Sequence, residues 1–138
     1  MKNVSEIIKK YPKIFKDYKG NPYRVNWSFP KGWHQIVDDL CGSIQNYIDC
    51  TKKKIDGEWQ HPYQIECLQV KEKYGQLEFY CNYYDQTVEG MINYAQYLST
   101  HTCQECGSRE NIGRTSGWMV VLCEDCKDKT NLHWTKDE

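Results

Sequence analysis

Hydrophobic and polar residues follow distinct rhythms along this chain. From Trp33 the apolar positions are Trp33, Ile36, Val37, Leu40, Ile44, Tyr47 and Ile48. Steps of three and four place them on one face of an amphipathic helix of about four turns. The opposite face carries Asp38, Asp39, Gln45, Asn46 and Asp49. A second stripe, Val88, Met91, Ile92, Ala95 and Leu98, predicts another helix over TVEGMINYAQYLST. Between the two stripes the rhythm drops to two. In YQIECLQVKEKYGQLEFYCNYYD, two runs rich in β-branched and aromatic residues flank KYGQ, and Gly75 is placed for a turn. The pattern predicts a β-hairpin, with Leu77, Phe79, Cys81 and Tyr83 on one face and Glu78, Tyr80 and Asn82 on the other.

The remaining segments carry weaker signals. Ser5 is positioned to cap a short helix through EIIKKY, which Pro12 then kinks or ends. YKGNPYRVNWSFPKG holds two Pro and two Gly and reads as a loop or an edge strand. TKKKIDGEWQHP reads as a loop, and its run Lys52 to Lys54 matches the negative end of the preceding helix dipole. WMVVL, Trp118 to Leu122, reads as a β-strand. Helix, hairpin, helix and a C-terminal ribbon in that order predict an α+β fold, two amphipathic helices packed on an antiparallel hairpin or sheet. Residues 1–100 are expected to form the α+β domain and 101–138 a ribbon packed on it.

The ribbon rests on cysteine spacing. HTCQECGSRENIGRTSGWMVVLCEDC places Cys103, Cys106, Cys123 and Cys126 in two Cys-x-x-Cys pairs. Each pair on a tight turn aims both sulfurs at one point, and two pairs supply the tetrahedral thiolate set that Zn²⁺ prefers. Gly107 follows the first pair, where a knuckle needs positive φ. The competing use of four thiols, two disulfides, suits an oxidising compartment. No apolar signal segment is read in MKNVSEIIKKY, so a reducing cytoplasm and one structural zinc are expected. Four cysteines close the coordination shell, whereas a catalytic zinc keeps a position open for water. His101 and His133 flank the group as substitute ligands, with exposure the plainer expectation. Cys41, Cys50, Cys67 and Cys81 lack a ligand spacing and are expected to be small buried thiols.

Charge changes the picture of what this ribbon touches. The net charge is −1, but residues 1–60 hold eleven Lys and Arg against seven Asp and Glu, and residues 61–138 hold seven against twelve. The ribbon thus lies in the acidic half, which argues against a surface that grips phosphate backbones. No run of eighteen apolar residues is present, so no membrane span is expected. No Gly-rich phosphate loop, His-Glu-x-x-His or nucleophile elbow appears, and a non-enzyme is expected.

Several of these motifs occur together elsewhere. Gly32-Trp33 with DLC at 39–41, KEKYGQLEFY at 71–80, MINYAQYLSTHTCQECG at 91–107, and Gly117-Trp118 with LCEDC resemble a family of small zinc-ribbon proteins of phage and prophage genomes. Members usually carry no assigned function. The resemblance covers roughly residues 31–126, and the chain departs from the pattern at Glu78, where an arginine is expected. It implies a viral or mobile-element origin and a bacterial cytoplasm, and supplies no catalytic residues.

Composition suggests what such a protein does. Five Trp and eleven Tyr are many for 138 residues, and such side chains stack on bases and anchor interfaces. The expected function is binding and sequestering a host factor or a small nucleotide-like ligand, as in phage counter-defence. A nucleic-acid-binding accessory role is the alternative, and a small enzyme the third reading. Aromatics that merely fill a core poor in Leu, Ile and Val are the plainer explanation of the composition. The expected ligand surface is the outward hairpin face, with Tyr80, Tyr84, Lys71 and Lys73. A homo-oligomer is compatible with all three.

Overall fold

The structure, a computed structural model, describes residues 4–16 and 28–138. It is α+β, with helices beside small antiparallel sheets and a cysteine group near the C-terminus. The helices are α1 (Val4–Lys10), α2 (His34–Cys50, entered through one 3-10 turn at Lys31–Trp33) and α3 (Gln86–Ser99). The strands are β1 (Lys53–Ile55), β2 (Glu58–Gln60), β3 (Cys67–Lys73), β4 (Gln76–Cys81), β5 (Ile112–Thr115), β6 (Val121–Cys123) and β7 (Trp134–Lys136).

The two apolar stripes do what their spacing demands. Val37, Leu40, Ile44 and Ile48 of α2 and Val88, Ile92 and Ala95 of α3 are buried together over Val70, Leu77 and Phe79 of the β3–β4 hairpin. That hairpin pairs Val70 with Phe79 and Lys71 with Glu78, with a bulge between Cys67 and Gln69. Its tip, Tyr74-Gly75, has both residues at positive φ (52° and 76°), as a two-residue type I′ turn requires. Ser99 reaches back from α3 to this hairpin. Its buried Oγ accepts the Leu77 amide at 2.9 Å and donates to the Gln96 carbonyl at 2.6 Å.

Several expectations need correction. The segment TKKKIDGEWQHP holds a second hairpin, β1–β2, turned by Asp56-Gly57 with both φ positive. The Asp-Gly pair between alternating runs is itself a type I′ signal, outweighed in the reading by the lysine run. Ser5 lies inside α1, which begins at Val4, so it is not the cap. Residues 18–27 of the expected loop or edge strand lie outside the described residues, and Ser28 bridges Lys71 in parallel. Asp38 is buried, not on a polar face. Helix α1 and the turn after it cover that side of α2, and Asp38 accepts hydrogen bonds from Lys10 Nζ (2.9 Å) and Tyr11 OH (2.6 Å). A buried carboxylate requires such partners. Tyr83, placed by alternation on the core face, follows the end of β4 and is exposed, its ring set edge-on to Tyr63. In WMVVL only Val121 and Leu122 are in β6, and Trp118 is exposed in the turn before it.

The last third of the chain has its own small core of Cys103, Ile112, Val121, Leu122, Cys123 and Cys126. Its sheet has the order β6-β5-β7, and β7 carried no sequence signal. Arg114 ties this sheet to the end of α3. Its guanidinium donates to both oxygens of Asp137 (2.9 and 2.6 Å) and to the Thr100 carbonyl at 2.9 Å.

Candidate metal centre and adjoining cleft

The first knuckle is built from Cys103 to Ser108. Cys103 N–H donates to the Ser108 carbonyl at 2.8 Å and Gly107 N–H to the Cys103 carbonyl at 3.0 Å, closing a tight turn. The second knuckle forms where β6 runs into a 3-10 turn at Glu124–Lys129. The two are held in register by Gln104, whose N–H donates to the Val121 carbonyl while its Oε1 accepts the Val121 amide. The sulfurs of Cys103, Cys106, Cys123 and Cys126 consequently lie within 4.8 Å of one another. A tetrahedron with metal–sulfur bonds of about 2.3 Å has sulfur–sulfur edges of about 3.8 Å. Cys106 and Cys123 are 3.7 Å apart. The donor set is all sulfur and closed, so the group fits a tetrahedral metal ion. His101 and His133 are both exposed and outside it, and His101 Nδ1 sits 2.9 Å from the Thr100 hydroxyl.

The surroundings prepare these sulfurs unequally. Burial pushes the Cys103 thiol up, but backbone N–H groups of Cys106, Cys123 and Glu105 outweigh it and bring it down to about 7. Such N–H groups favour the thiolate that a metal binds. Burial and the neighbouring sulfurs push Cys126 up instead. Cys106 is the exposed member; the other three are buried.

The first knuckle also carries the join between the two cores. Gly32 N–H donates to the Gln104 carbonyl at 3.0 Å, and a Cβ on Gly32 would collide with the Cys103 carbonyl oxygen. Only glycine allows that approach. The next residue, Trp33, is fully buried, and its Nε1–H donates to the Thr102 carbonyl at 3.0 Å. Lys31 reaches over the knuckle to Glu105 at 2.5 Å, and Lys129 meets the same carboxylate from the other side.

Beside this join, α2, α3 and the first knuckle enclose a cleft of about 650 Å³. Its floor is apolar, with Ile36, Leu40, Met91, Ala95 and Leu98, and His34, Gln35, Asp39, Ser43, Tyr94 and Arg109 bring polar groups to its walls and mouth. That volume lies in the range of small-molecule sites. His34 Nδ1 is buried without a hydrogen-bond partner among the described residues, and burial holds the imidazole below its ordinary value. Sequence reading missed these residues, because they come from three separate segments. The only local signal was His34 directly after the Gly-Trp pair.

The residues expected to bind ligand on the hairpin are placed as follows. Tyr80, Lys71 and Lys73 share the outward face, by the pairing of Gln69 with Tyr80 and Lys71 with Glu78. Tyr80 is 38% exposed. Lys73 Nζ lies over the Tyr74 ring, 5.9 Å from its centroid, and Lys71 is half-buried. Tyr84 lies past the strand and turns back, its hydroxyl accepting the Cys81 amide at 2.6 Å. Of the other cysteines, Cys41, Cys67 and Cys81 are buried in the main core, where burial raises each thiol. Cys50, expected to be buried, is exposed at the last position of α2, on a different face from Cys41.

No family model, curated protein or solved structure matches the chain. Among the described residues no helix is long and apolar enough to cross a membrane.

Proposed function

We propose that this is a non-catalytic protein that binds and sequesters a host factor or a small nucleotide-like ligand in a bacterial cytoplasm, as a phage counter-defence protein does. The observation that carries the reading is where the aromatic residues lie. If they only filled a core, they would be inside. Instead Trp59 (71%), Tyr74 (81%), Trp118 (73%) and Tyr94 (63%) are among the most exposed large side chains, and the main core is mostly aliphatic around Trp33 and three phenylalanines. Outward aromatics anchor partners and stack on bases. The resemblance of the Gly-Trp, hairpin and knuckle motifs to phage zinc-ribbon proteins supports the origin.

The metal in this reading is one structural zinc on Cys103, Cys106, Cys123 and Cys126. A closed, all-sulfur tetrahedral set selects zinc or iron–sulfur chemistry among common metals, and backbone N–H donors around a knuckle serve either. Elemental analysis of protein purified without chelators should give one zinc per chain. A zinc content near zero would sink this assignment.

Generic nucleic-acid binding is disfavoured because three of the basic residues around the knuckles are already paired with carboxylates. Arg114 is tied to Asp137, and Lys31 and Lys129 both to Glu105. Electrophoretic shift assays at physiological salt should therefore show no tight complex with random duplex or single strands. The sequestration reading is tested by native mass spectrometry of the tagged chain recovered from infected cells, which should carry a retained partner or small molecule. Recovery of the bare, zinc-loaded chain from cells in which it is active would overturn it.

A further inference from the structure

We infer that the cleft between α2, α3 and the first knuckle is a binding site for a nucleoside monophosphate whose base carries an exocyclic amine. The inference rests on the sequestration reading and gives it a site and a ligand chemistry. It replaces the hairpin face as the place where a small ligand sits.

The cleft has the parts such a ligand needs, arranged in order along α2. At the knuckle end stands Arg109, exposed and without a hydrogen bond or ion pair among the described residues. A guanidinium is suited to a phosphate, which it grips through two parallel N–H bonds. His34 lines the same end, and its Nδ1 is buried with no partner among the described residues. A buried polar atom with no partner is uncommon enough to need a reason, and a ligand hydroxyl or phosphate oxygen supplies one. In the middle, Ile36, Leu40, Ala95 and Leu98 form an apolar floor. Tyr94 stands at its edge, 63% exposed and with no hydrogen bond from its hydroxyl among the described residues, free to lie on a flat ring.

Asp39 lies five residues beyond His34, about 7.5 Å further along the helix axis. One of its oxygens accepts Gln35 Nε2 at 2.8 Å. The other is available to accept from an amine. Cation at one end and carboxylate at the other set the direction of the ligand.

Charge bounds the size of the anion. Lys31 is held by Glu105, a carboxylate it shares with Lys129. Among the described residues lining the cleft, Arg109 is the cation outside any ion pair, and Asp39 opposes it. One phosphate is tolerated there. A di- or triphosphate, or the repeated phosphates of a nucleic acid, meets no further cation outside an ion pair among the described residues of the cleft.

The test is isothermal titration of the full-length, zinc-loaded chain with AMP, CMP, UMP and inorganic phosphate. AMP and CMP should bind saturably, one per chain, at least tenfold tighter than UMP, which lacks the amine, and tighter still than phosphate. Arg109→Ala should weaken AMP at least tenfold and Tyr94→Ala roughly fivefold or more. Tyr80→Ala should leave it unchanged. Zinc content and circular dichroism of each variant show that it is folded. Absence of saturable binding by AMP and CMP to the folded chain overturns the proposal. So does AMP binding that Arg109→Ala and Tyr94→Ala leave intact, and equal affinity for CMP and UMP overturns the choice of an amino-bearing base. Failure of the cleft is distinguishable from failure of sequestration. A partner or ligand retained from infected cells by Arg109→Ala and Tyr94→Ala variants keeps sequestration and removes the cleft. AMP bound through Arg109 and Tyr94 by a chain recovered bare keeps the cleft and removes sequestration.

Discussion

The two cores of this molecule are stabilised by different physics. The core under α2 and α3 is a packed cluster of large apolar side chains, with Trp33, Phe79, Leu77 and Ile44 almost without solvent contact. The core of the last third is small, and Cys103, Cys123 and Cys126 make up half of it. Apolar burial contributes about 25 cal/mol per Å², so the first core can hold its own segment together. The second buries too few large side chains for that. A segment below about 40 residues usually needs a metal or disulfides to fold. Cysteine thus takes the place in the ribbon that leucine and phenylalanine hold in the helical part.

Chelation should break the comparison open with the largest effect. Binding of a structural metal at two knuckles is worth about 10–16 kcal/mol of folding free energy in small peptides. Removing the metal, or substituting Cys103→Ser with Cys123→Ser, should abolish amide protection across 103–136. Protection in α2 and the β3–β4 hairpin should persist, as hydrogen exchange resolved by mass spectrometry would show. If both regions lose protection together, the cores are one cooperative unit.

Trp33 should sharpen the comparison, because it belongs to the first core while bonding to the second. Trp33→Ala should cost about 3–5 kcal/mol and leave the buried Thr102 carbonyl without its donor. Denaturant unfolding should show the loss, and metal bound at the cysteine group should be released at lower denaturant than in the parent. Ser99→Ala removes the acceptor of the buried Leu77 amide and should cost about 1–3 kcal/mol, confined to the helical core and without effect on metal release.

Acid should separate the regions more gently. Burial pushes the Asp85 carboxyl up, but hydrogen bonds from Tyr47, the Val88 amide and Lys53 outweigh it and hold it below the usual range. The Arg114 guanidinium does the same for Asp137. A depressed folded value stabilises the protein above the unfolded value of about 3.9, and the contribution is lost as pH falls through the folded one. Melting temperature should therefore decline below about pH 4, and Asp85→Asn should flatten the part of that decline due to the helical core. The smallest effect is expected from Tyr80→Ala. Its side chain faces outward on β4, so stability should change by no more than about 0.5 kcal/mol. A variant that unfolds would place Tyr80 in the first core after all.

Local pattern carried much of this fold because the pattern and the packing ask for the same thing. The α2 and α3 stripes bury their predicted faces, and Leu77, Phe79 and Cys81 point inward as alternation requires. The grouping of the four cysteines was legible for a similar reason, since each pair is fixed by its own short turn. The β1–β2 hairpin was misread where two local signals competed, and Asp38 because its surroundings come from a distant segment. A carboxylate on a helix normally faces water, and only α1 folding over it reverses that. A lysine run normally marks a solvated loop, although Lys53 is drawn to Asp85 at 3.0 Å.

What the sequence determined by itself, then, is whatever is written within a turn or two of chain: the two amphipathic faces, the hairpin at Tyr74-Gly75 and the thiolate pairs. Each follows from the spacing of residues a few positions apart. What the tertiary structure alone decided is where those pieces meet. The seat of Gly32 on the first knuckle, the indole bond from Trp33 to Thr102, and the cleft that brings His34 to Tyr94 and Arg109 each join the start of α2 to residues about 60 or more positions away. Such contacts depend on how the helices cross and on which backbone can approach which. No periodicity in the chain encodes that geometry, because it arises only when both cores have formed and pack against each other.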